Sequence, residues 1–271
     1  MPKIQYDTVD LGDGYEAQVK FLLPATYESA STTESYPLVL KVYSGPGSQL
    51  VLDAWTVSFD TYLVSSRNYI VAYIDGRGSG NRGSKYTEPL YRRFGTVEVS
   101  DQITAIKMLS NVTNSIRRDS VAVWGWSYGG FVAAHIVKQD RFKTFKCAAS
   151  VAPVTNFLYY DAAYTERFMG LNKTGDNYDG YQKTIVNRDV SAFGLGKFLL
   201  AHGTGDDNVH FQNSAMLVEA LAAKGVQFQF MAYTNQQHSI SDNTFHLYTM
   251  LDNFFVNCFH TPIVRTNTDD N

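Results

Sequence analysis

The sequence has no run approaching the roughly 18 apolar residues of a membrane-spanning helix, and its opening, Met1-Pro2-Lys3-Ile4-Gln5-Tyr6-Asp7, lacks the apolar region of a secretory signal. It has little excess of either charge. Its 23 Lys and Arg stand against 26 Asp and Glu, a formal net charge of −3, and no basic cluster interrupts the balance. That argues against a nucleic acid or an anionic membrane as partner. There is no H-E-x-x-H, no C-x-x-C and no P-loop lysine, so metal and nucleotide chemistry have no support and no cofactor is expected. What is present is globular: 271 residues, 44% hydrophobic and 18% charged, a length that suits one large α/β domain able to bury about three quarters of its unfolded surface.

Cysteine is limited to Cys147 and Cys258. In a reducing compartment these would be buried thiols. However, Asn111-Val112-Thr113 and Asn172-Lys173-Thr174 are both glycosylation acceptors. Together they point to an oxidising, secretory location and to a Cys147–Cys258 disulfide. With no signal visible, that location implies that the chain is part of something longer.

Short apolar runs rich in β-branched and aromatic residues recur at 38–43, 69–74, 121–124, 148–152, 198–201 and 226–230. Near-continuous runs of this kind suit strands buried on both faces of a mostly parallel sheet. Between them, Val99, Ile103, Ile106 and Leu109 fall on one helical face, and Leu247, Leu251, Phe254 and Cys258 repeat that spacing near the C-terminus. Residues 5–11 and 15–23 alternate and are joined by Gly12-Asp13-Gly14, which predicts an antiparallel hairpin. The expected fold is therefore a doubly wound α/β sheet with an antiparallel N-terminal hairpin. The hairpin and the polar loop 25–35 lead, over residues 1–35, into a domain spanning 36–260, and 261–271 is expected to be a flexible tail.

The strongest chemical signal is Gly125-Trp126-Ser127-Tyr128-Gly129-Gly130. An apolar strand precedes it and an apolar helix over 131–137 follows. Glycines two before and two after the serine are what a sharp strand-to-helix turn requires, because a side chain there would clash as the backbone folds back. A serine alcohol needs a base to take its proton, and the base needs a carboxylate to orient it. In chain order Ser, acid, His, the strand-end loops supply Asp206 or Asp207 and then His238. His135, His202, His246 and His260 lack that order or that strand-end position. Spacing does not choose between the two aspartates. Gly78-Ser79-Gly80-Asn81-Arg82-Gly83 matches G-x-G-x-x-G, but no helical pattern opens at Gly83 and Pro89 interrupts soon after, so it reads as a loop.

With these residues in place, the chain resembles the prolyl oligopeptidase family of serine peptidases, in the group that holds dipeptidyl peptidase IV and fibroblast activation protein. The likeness runs from about Tyr36 to His260. Its motifs are Val42-Tyr43-Ser44-Gly45-Pro46, Asp75-Gly76-Arg77-Gly78, Gly125 to Gly130, Tyr159-Tyr160-Asp161 with Tyr164-Thr165-Glu166-Arg167, and His202-Gly203-Thr204 with Asn208-Val209-His210-Phe211. The resemblance implies an α/β-hydrolase fold and a triad of Ser127, Asp206 and His238. It also implies an oxyanion hole from the Tyr43 hydroxyl and the Tyr128 backbone N–H, and a proline-sized pocket of Tyr128, Val154, Tyr160, Tyr164 and Val209. Asn208 would bind the carbonyl of the first peptide unit, and Cys147–Cys258 matches a family disulfide. Phe157, Gly47 and Ser239 depart from the commoner family residues Trp, Cys and Gly.

The activity implied is removal of X-Pro or X-Ala dipeptides from peptide N-termini by an extracellular or cell-surface enzyme, dimeric through its last helix. The family's β-propeller, which holds the substrate's amine, and its membrane anchor lie in segments this chain lacks. The alternatives are a fragment with weak esterase or peptidase activity and a non-catalytic binding member; the presence of Ser127, Asp206 and His238 weighs against the second.

Overall fold

A computed structural model describes residues 2–28, 35–112 and 115–260. Eight strands form one sheet: β1 (Lys3–Gly12), β2 (Tyr15–Leu23), β3 (Tyr36–Val42), β4 (Ile70–Asp75), β5 (Ile116–Trp126), β6 (Cys147–Val151), β7 (Lys197–Gly203) and β8 (Gln229–Tyr233). Their order is β1-β2-β4-β3-β5-β6-β7-β8, with β3 to β8 mutually parallel and the β1–β2 hairpin attached antiparallel through β2 and β4. The hairpin turns through Gly12, Asp13 and Gly14, all at positive φ, as the glycines there anticipate.

The helices are α1 (Phe59–Arg67), α2 (Ser84–Thr87), α3 (Val97–Val112), α4 (Tyr128–Asp140), α5 (Ala162–Met169), α6 (Tyr178–Thr184), α7 (Gln212–Ala223) and α8 (Thr244–Phe259). They divide between two apolar layers because alternate residues of each central strand face opposite ways. Leu38, Leu40, Ile70, Ala72, Val121, Val123, Phe198 and Leu200 meet α3, α4 and α7, while Val39, Val71, Tyr73, Ala122, Trp124, Leu199 and Ala201 meet α1 and α8. The central strands are thus buried on both sides, which is why their sequences run apolar without alternation. The sequence-predicted helical faces, Val99 to Leu109 and Leu247 to Cys258, are all buried.

Several boundaries differ from the sequence reading: β5 extends over Ile116–Trp126 around the expected 121–124, and α4 over Tyr128–Asp140 around the expected 131–137. The run 226–230 supplies strand only from Gln229, because the end of α7 captures what precedes it: Gly225 adopts φ +68 and the Val226 N–H donates to Leu221 O at 3.0 Å. Val226 and Phe228 still pack on the core from this helix stop. A single short helix, α2, does open directly after Gly83 in the glycine-rich loop, though only four residues long. Gly78 and Gly80 of the loop answer to close packing, and Gly83 to its φ of +79. A Cβ on Gly80 would lie 2.3 Å from Gly47 O.

Cys147 and Cys258 are disulfide-bonded, Cα to Cα 6.2 Å, joining the first residue of β6 to the last turn of α8 across 111 positions. Among the described residues no helix is long and apolar enough to cross a membrane. Asn172 and Thr174 of the second sequon are exposed on the turn between α5 and α6, whereas the first sequon runs into residues outside those described, as does the tail after His260.

A loop of this length, once cross-linked, constrains the unfolded chain by about 2–5 kcal/mol. The double variant Cys147→Ala/Cys258→Ala is expected to melt about 5–15 °C lower than the parent in non-reducing calorimetry. Equal melting temperatures would show that the bridge adds no stability.

Candidate active site

The carboxyl ends of β3, β5, β6, β7 and β8 form one edge, and the sequence-predicted residues gather there. β5 turns into α4 at Ser127, whose φ of +62 and ψ of −121 place it outside the usual regions for a side-chain-bearing residue. Its N–H donates to Val151 O at 2.8 Å and its carbonyl accepts from Phe131 N–H at 3.1 Å, so the strained turn is pinned by β6 on one side and by the helix on the other. The flanking glycines are sterically required. A Cβ on Gly125 would lie 2.2 Å from Gly129 O, and one on Gly129 would lie 2.2 Å from Val42 O. That second approach brings the end of β3, and with it Tyr43, against the start of α4.

As the first residue of α4, Tyr128 has an N–H with no intrahelical acceptor, next to Ser127 at the positive end of the helix. The ring of Tyr43 lies 6.2 Å from that of Tyr128 and folds over Gly45, where a Cβ would meet it at 2.8 Å. Burial raises the Tyr43 hydroxyl above its ordinary range, so at neutral pH it is a neutral O–H donor.

Asp206 and His238, the expected acid and base, come from interlocked loops after β7 and β8. Gly203 approaches Gln236 so closely that a Cβ would sit 2.2 Å from its carbonyl, the Thr204 N–H donates to Tyr233 O at 2.9 Å and the Gly205 N–H to Gln236 O at 3.0 Å. This lacing delivers the His238 Nδ1–H to Asp206 Oδ2 at 2.7 Å. The same oxygen faces His202 Nε2 at 3.1 Å, and Oδ1 accepts from the backbone N–H groups of Asn208 and Val209, each at 2.9 Å. Burial alone would raise the Asp206 carboxyl; the hydrogen bonds from His202 and His238 outweigh it and hold the group well below the usual carboxylate range. Asp207, one residue on, is exposed. Of the two aspartates that spacing leaves open, the structure brings Asp206 to His238.

On its other side the His238 loop is tied to the turn that carries Ser127: Trp126 Nε1–H donates to His238 O at 2.9 Å. Among the described residues Ser127 Oγ and His238 Nε2 are not hydrogen-bonded to each other, and neither atom has a hydrogen bond elsewhere. The His238 side chain is 23% exposed, with Nδ1 engaged by Asp206.

The remaining candidates line an aromatic cluster beside Tyr128. Tyr160 and Tyr164 are half-buried with rings 5.5 Å apart, edge to face. The Tyr160 hydroxyl donates to Asn208 Oδ1 at 3.1 Å, which joins the aromatic wall to the acid loop. Burial raises both tyrosine hydroxyls, so both stay neutral. Val154 and Val209 lie beneath, in the core. Phe157 is 1% exposed and packs on Phe94 at 4.9 Å and Phe131 at 5.1 Å.

Two members of the site escape sequence reasoning. His202 was set aside as a base because it precedes the acid, yet it holds that acid. Glu98, in the first turn of α3, belongs to none of the sequence motifs and is 1% exposed. Its Oε1 accepts from Gly95 N–H at 2.6 Å and from the Tyr128 hydroxyl at 3.0 Å, and Oε2 from Thr96 N–H at 2.9 Å. Desolvation dominates these bonds and pushes the carboxyl up from 4.5 to about 7. No group of three or more His, Cys, Asp or Glu among the described residues is placed to hold a metal ion.

An acid whose pKa rises on folding binds its proton more tightly in the native state. Its contribution to stability is therefore fullest below about pH 4.5, declines toward about pH 7 and is level above, a total of about 3 kcal/mol. Urea titrations of the parent and of Glu98→Gln are expected to diverge by that amount, in favour of the variant, between about pH 4 and about pH 8. A difference that does not change with pH would show that Glu98 ionises without cost.

Residues 55–261 match the model of the prolyl oligopeptidase family. The chain is 43% identical over 247 residues to the venom dipeptidyl peptidase 4 of Vespula vulgaris, covering 91% of this chain and 31% of that protein. It is 42% identical over 264 residues to dipeptidyl peptidase 4 of Sus scrofa, covering 97% of this chain and 34% of that one. The solved structure of Porphyromonas gingivalis dipeptidyl peptidase 4 superposes with a TM-score of 0.86 at 32% identity, over 94% of this chain and 35% of its own. The chain thus spans about a third of the length of these relatives. On the match over residues 55–261 and on these identities, it belongs to the prolyl oligopeptidase family of serine hydrolases.

Proposed function

We propose that this chain is the catalytic unit of a serine-type dipeptidyl aminopeptidase that releases X-Pro or X-Ala from peptide N-termini. The observation that carries the reading is the double tie on His238. Its Nδ1–H is held by Asp206 at 2.7 Å while its carbonyl is held by the indole of Trp126, the residue before Ser127. The imidazole is thereby held by an ionised carboxylate, on a loop tied to the turn that carries Ser127.

In this mechanism Ser127 Oγ attacks the carbonyl carbon of the second residue as its proton passes to His238 Nε2. Asp206 keeps Nδ1 protonated and stabilises the imidazolium that forms. The oxyanion of the tetrahedral intermediate accepts from the Tyr128 N–H and the neutral Tyr43 hydroxyl, donors of a kind worth around 10²–10³-fold in rate each. His238 returns the proton to the leaving amine, the C–N bond breaks, and the dipeptide remains as an ester on Ser127. Water, deprotonated by His238, attacks that ester. The dipeptide acid departs and Oγ recovers its proton. Tyr160, Tyr164 and the Tyr128 ring, over Val154 and Val209, form a flat apolar slot suited to a proline ring, and the Asn208 amide is available to a peptide carbonyl. The relatives named as venom proteins, the disulfide and the exposed Asn172 sequon support a secreted or cell-surface setting.

A fluorophosphonate probe is expected to label the parent chain at Ser127 and to leave Ser127→Ala unlabelled. Parent and variant labelling alike would overturn the mechanism. A Gly-Pro chromogenic amide is expected to be cleaved slowly by these 271 residues, since a substrate misplaced by about 1 Å loses on the order of 10²-fold and the resemblance places the amine anchor in another domain. Small activated esters should acylate Ser127 readily. Rapid dipeptide release by the chain alone would show that the anchor is dispensable.

A further inference from the structure

His202, in the penultimate position of β7, is wholly buried, with three polar neighbours around its ring. Nε2 lies 2.7 Å from Val209 O and 3.1 Å from Asp206 Oδ2. Nδ1 lies 2.7 Å from Ser214 Oγ, on α7. Chemistry fixes the protons. A carbonyl oxygen only accepts, so Nε2 carries the hydrogen and shares it between Val209 O and the Asp206 carboxylate. In the neutral ring Nδ1 then accepts, and the Ser214 hydroxyl donates to it. That serine holds the tautomer that points an N–H at Asp206.

The consequence lies on the carboxylate. Asp206 Oδ1 receives the Asn208 and Val209 N–H groups and Oδ2 receives His202 and His238, so two donors meet each oxygen. A carboxylate has about four lone-pair sites, and all are occupied. Without His202, Oδ2 would have a free lone pair and the side chain could turn about its terminal bond, carrying the acceptor for His238 with it. The Val209 carbonyl, buried at the foot of the same loop, would also lose its donor.

We infer that His202 is a positioning residue: with Ser214 it locks the Asp206 carboxylate in the orientation that presents Oδ2 to His238 Nδ1–H, and so sets the rate at which Ser127 is activated. The inference rests on the hydrolytic roles proposed for Ser127, Asp206 and His238, and goes beyond them by assigning a buried Ser214–His202–Asp206–His238 chain. Its effect is on the limiting rate and not on ligand affinity, because no atom of His202 reaches the cleft.

The test uses the whole chain and a fluorophosphonate probe, with the limiting labelling rate and the half-saturating concentration measured separately. Proton NMR follows the hydrogen-bonded Nδ1–H of His238. His202→Leu is expected to slow the limiting rate about 10–100-fold, with the half-saturating concentration changed less than about twofold and the His238 resonance shifted or broadened. His202→Gln, whose amide N–H reaches the same acceptor, should recover most of the rate. Should His202→Leu fail to fold, Ser214→Ala decides. It deletes only a hydroxyl and is expected to slow labelling about 2–5-fold, in proportion to a hydrogen bond of about 0.5–1 kcal/mol, and to move the same resonance. An unchanged limiting rate in a folded variant overturns the inference. So does a slower rate with the His238 resonance unmoved, which would mean a structural role for the loop alone. A parent chain that does not label at Ser127 sinks the hydrolytic reading instead, and the resonance arm still shows whether His202 governs His238.

Discussion

The site depends on one steric constraint: the backbone of α4 lies directly on the last carbonyl of β3. Val42 O occupies the space where a side chain on Gly129 would be, and Gly129 O occupies the space of one on Gly125. No side-chain interaction substitutes for this contact, because it sets where the first turn of α4 begins relative to the sheet edge. From it follow the positive φ of Ser127, the free N–H of Tyr128 and the nearness of Tyr43. The strain at Ser127 is held by hydrogen bonds to β6 and within α4, so its cost, of order 1–3 kcal/mol, is offset by neighbouring structure.

Around that point the electrostatics divide by depth. Asp206 is saturated with four donors and remains charged; Glu98 lies deeper, receives three, and is pushed toward neutrality. The difference lies in depth and in the donors. Two imidazole N–H groups and two amides meet Asp206, whereas Glu98 faces two amides and a phenol that stays neutral. Both carboxyls hold residues that flank the serine. One holds the ring of His238, the other anchors the ring of Tyr128, whose N–H is the oxyanion donor in the proposed mechanism.

Much of this was legible in the residues. The central strands were visible because burial on both faces demands continuous apolar runs, and the nucleophile turn was visible because its glycines have a steric reason to be there. The order of Ser127, a loop aspartate and His238 followed from how such sheets are wound. The choice between Asp206 and Asp207 did not, since adjacent loop residues differ only in which way the backbone turns them. That choice came from resemblance, and Asp206 is the one that meets His238. The start of β8 was misplaced because Val226 and Phe228 are apolar for packing, not pairing. His202 and Glu98 were opaque for a deeper reason: a histidine before its acid and a glutamate at a helix start carry no local mark of burial, and their partners lie in distant segments.

The bridge from Cys147 to Cys258 enters β6 at its amino end, whereas every group near Ser127 sits at the carboxyl ends of the strands. The covalent tie and the reacting groups therefore occupy opposite rims of the sheet. A reductant that opened the bridge would loosen α8 from below and leave the serine, the imidazole and the carboxylate in register, so thiol exposure would shorten the lifetime of the folded chain long before it altered turnover.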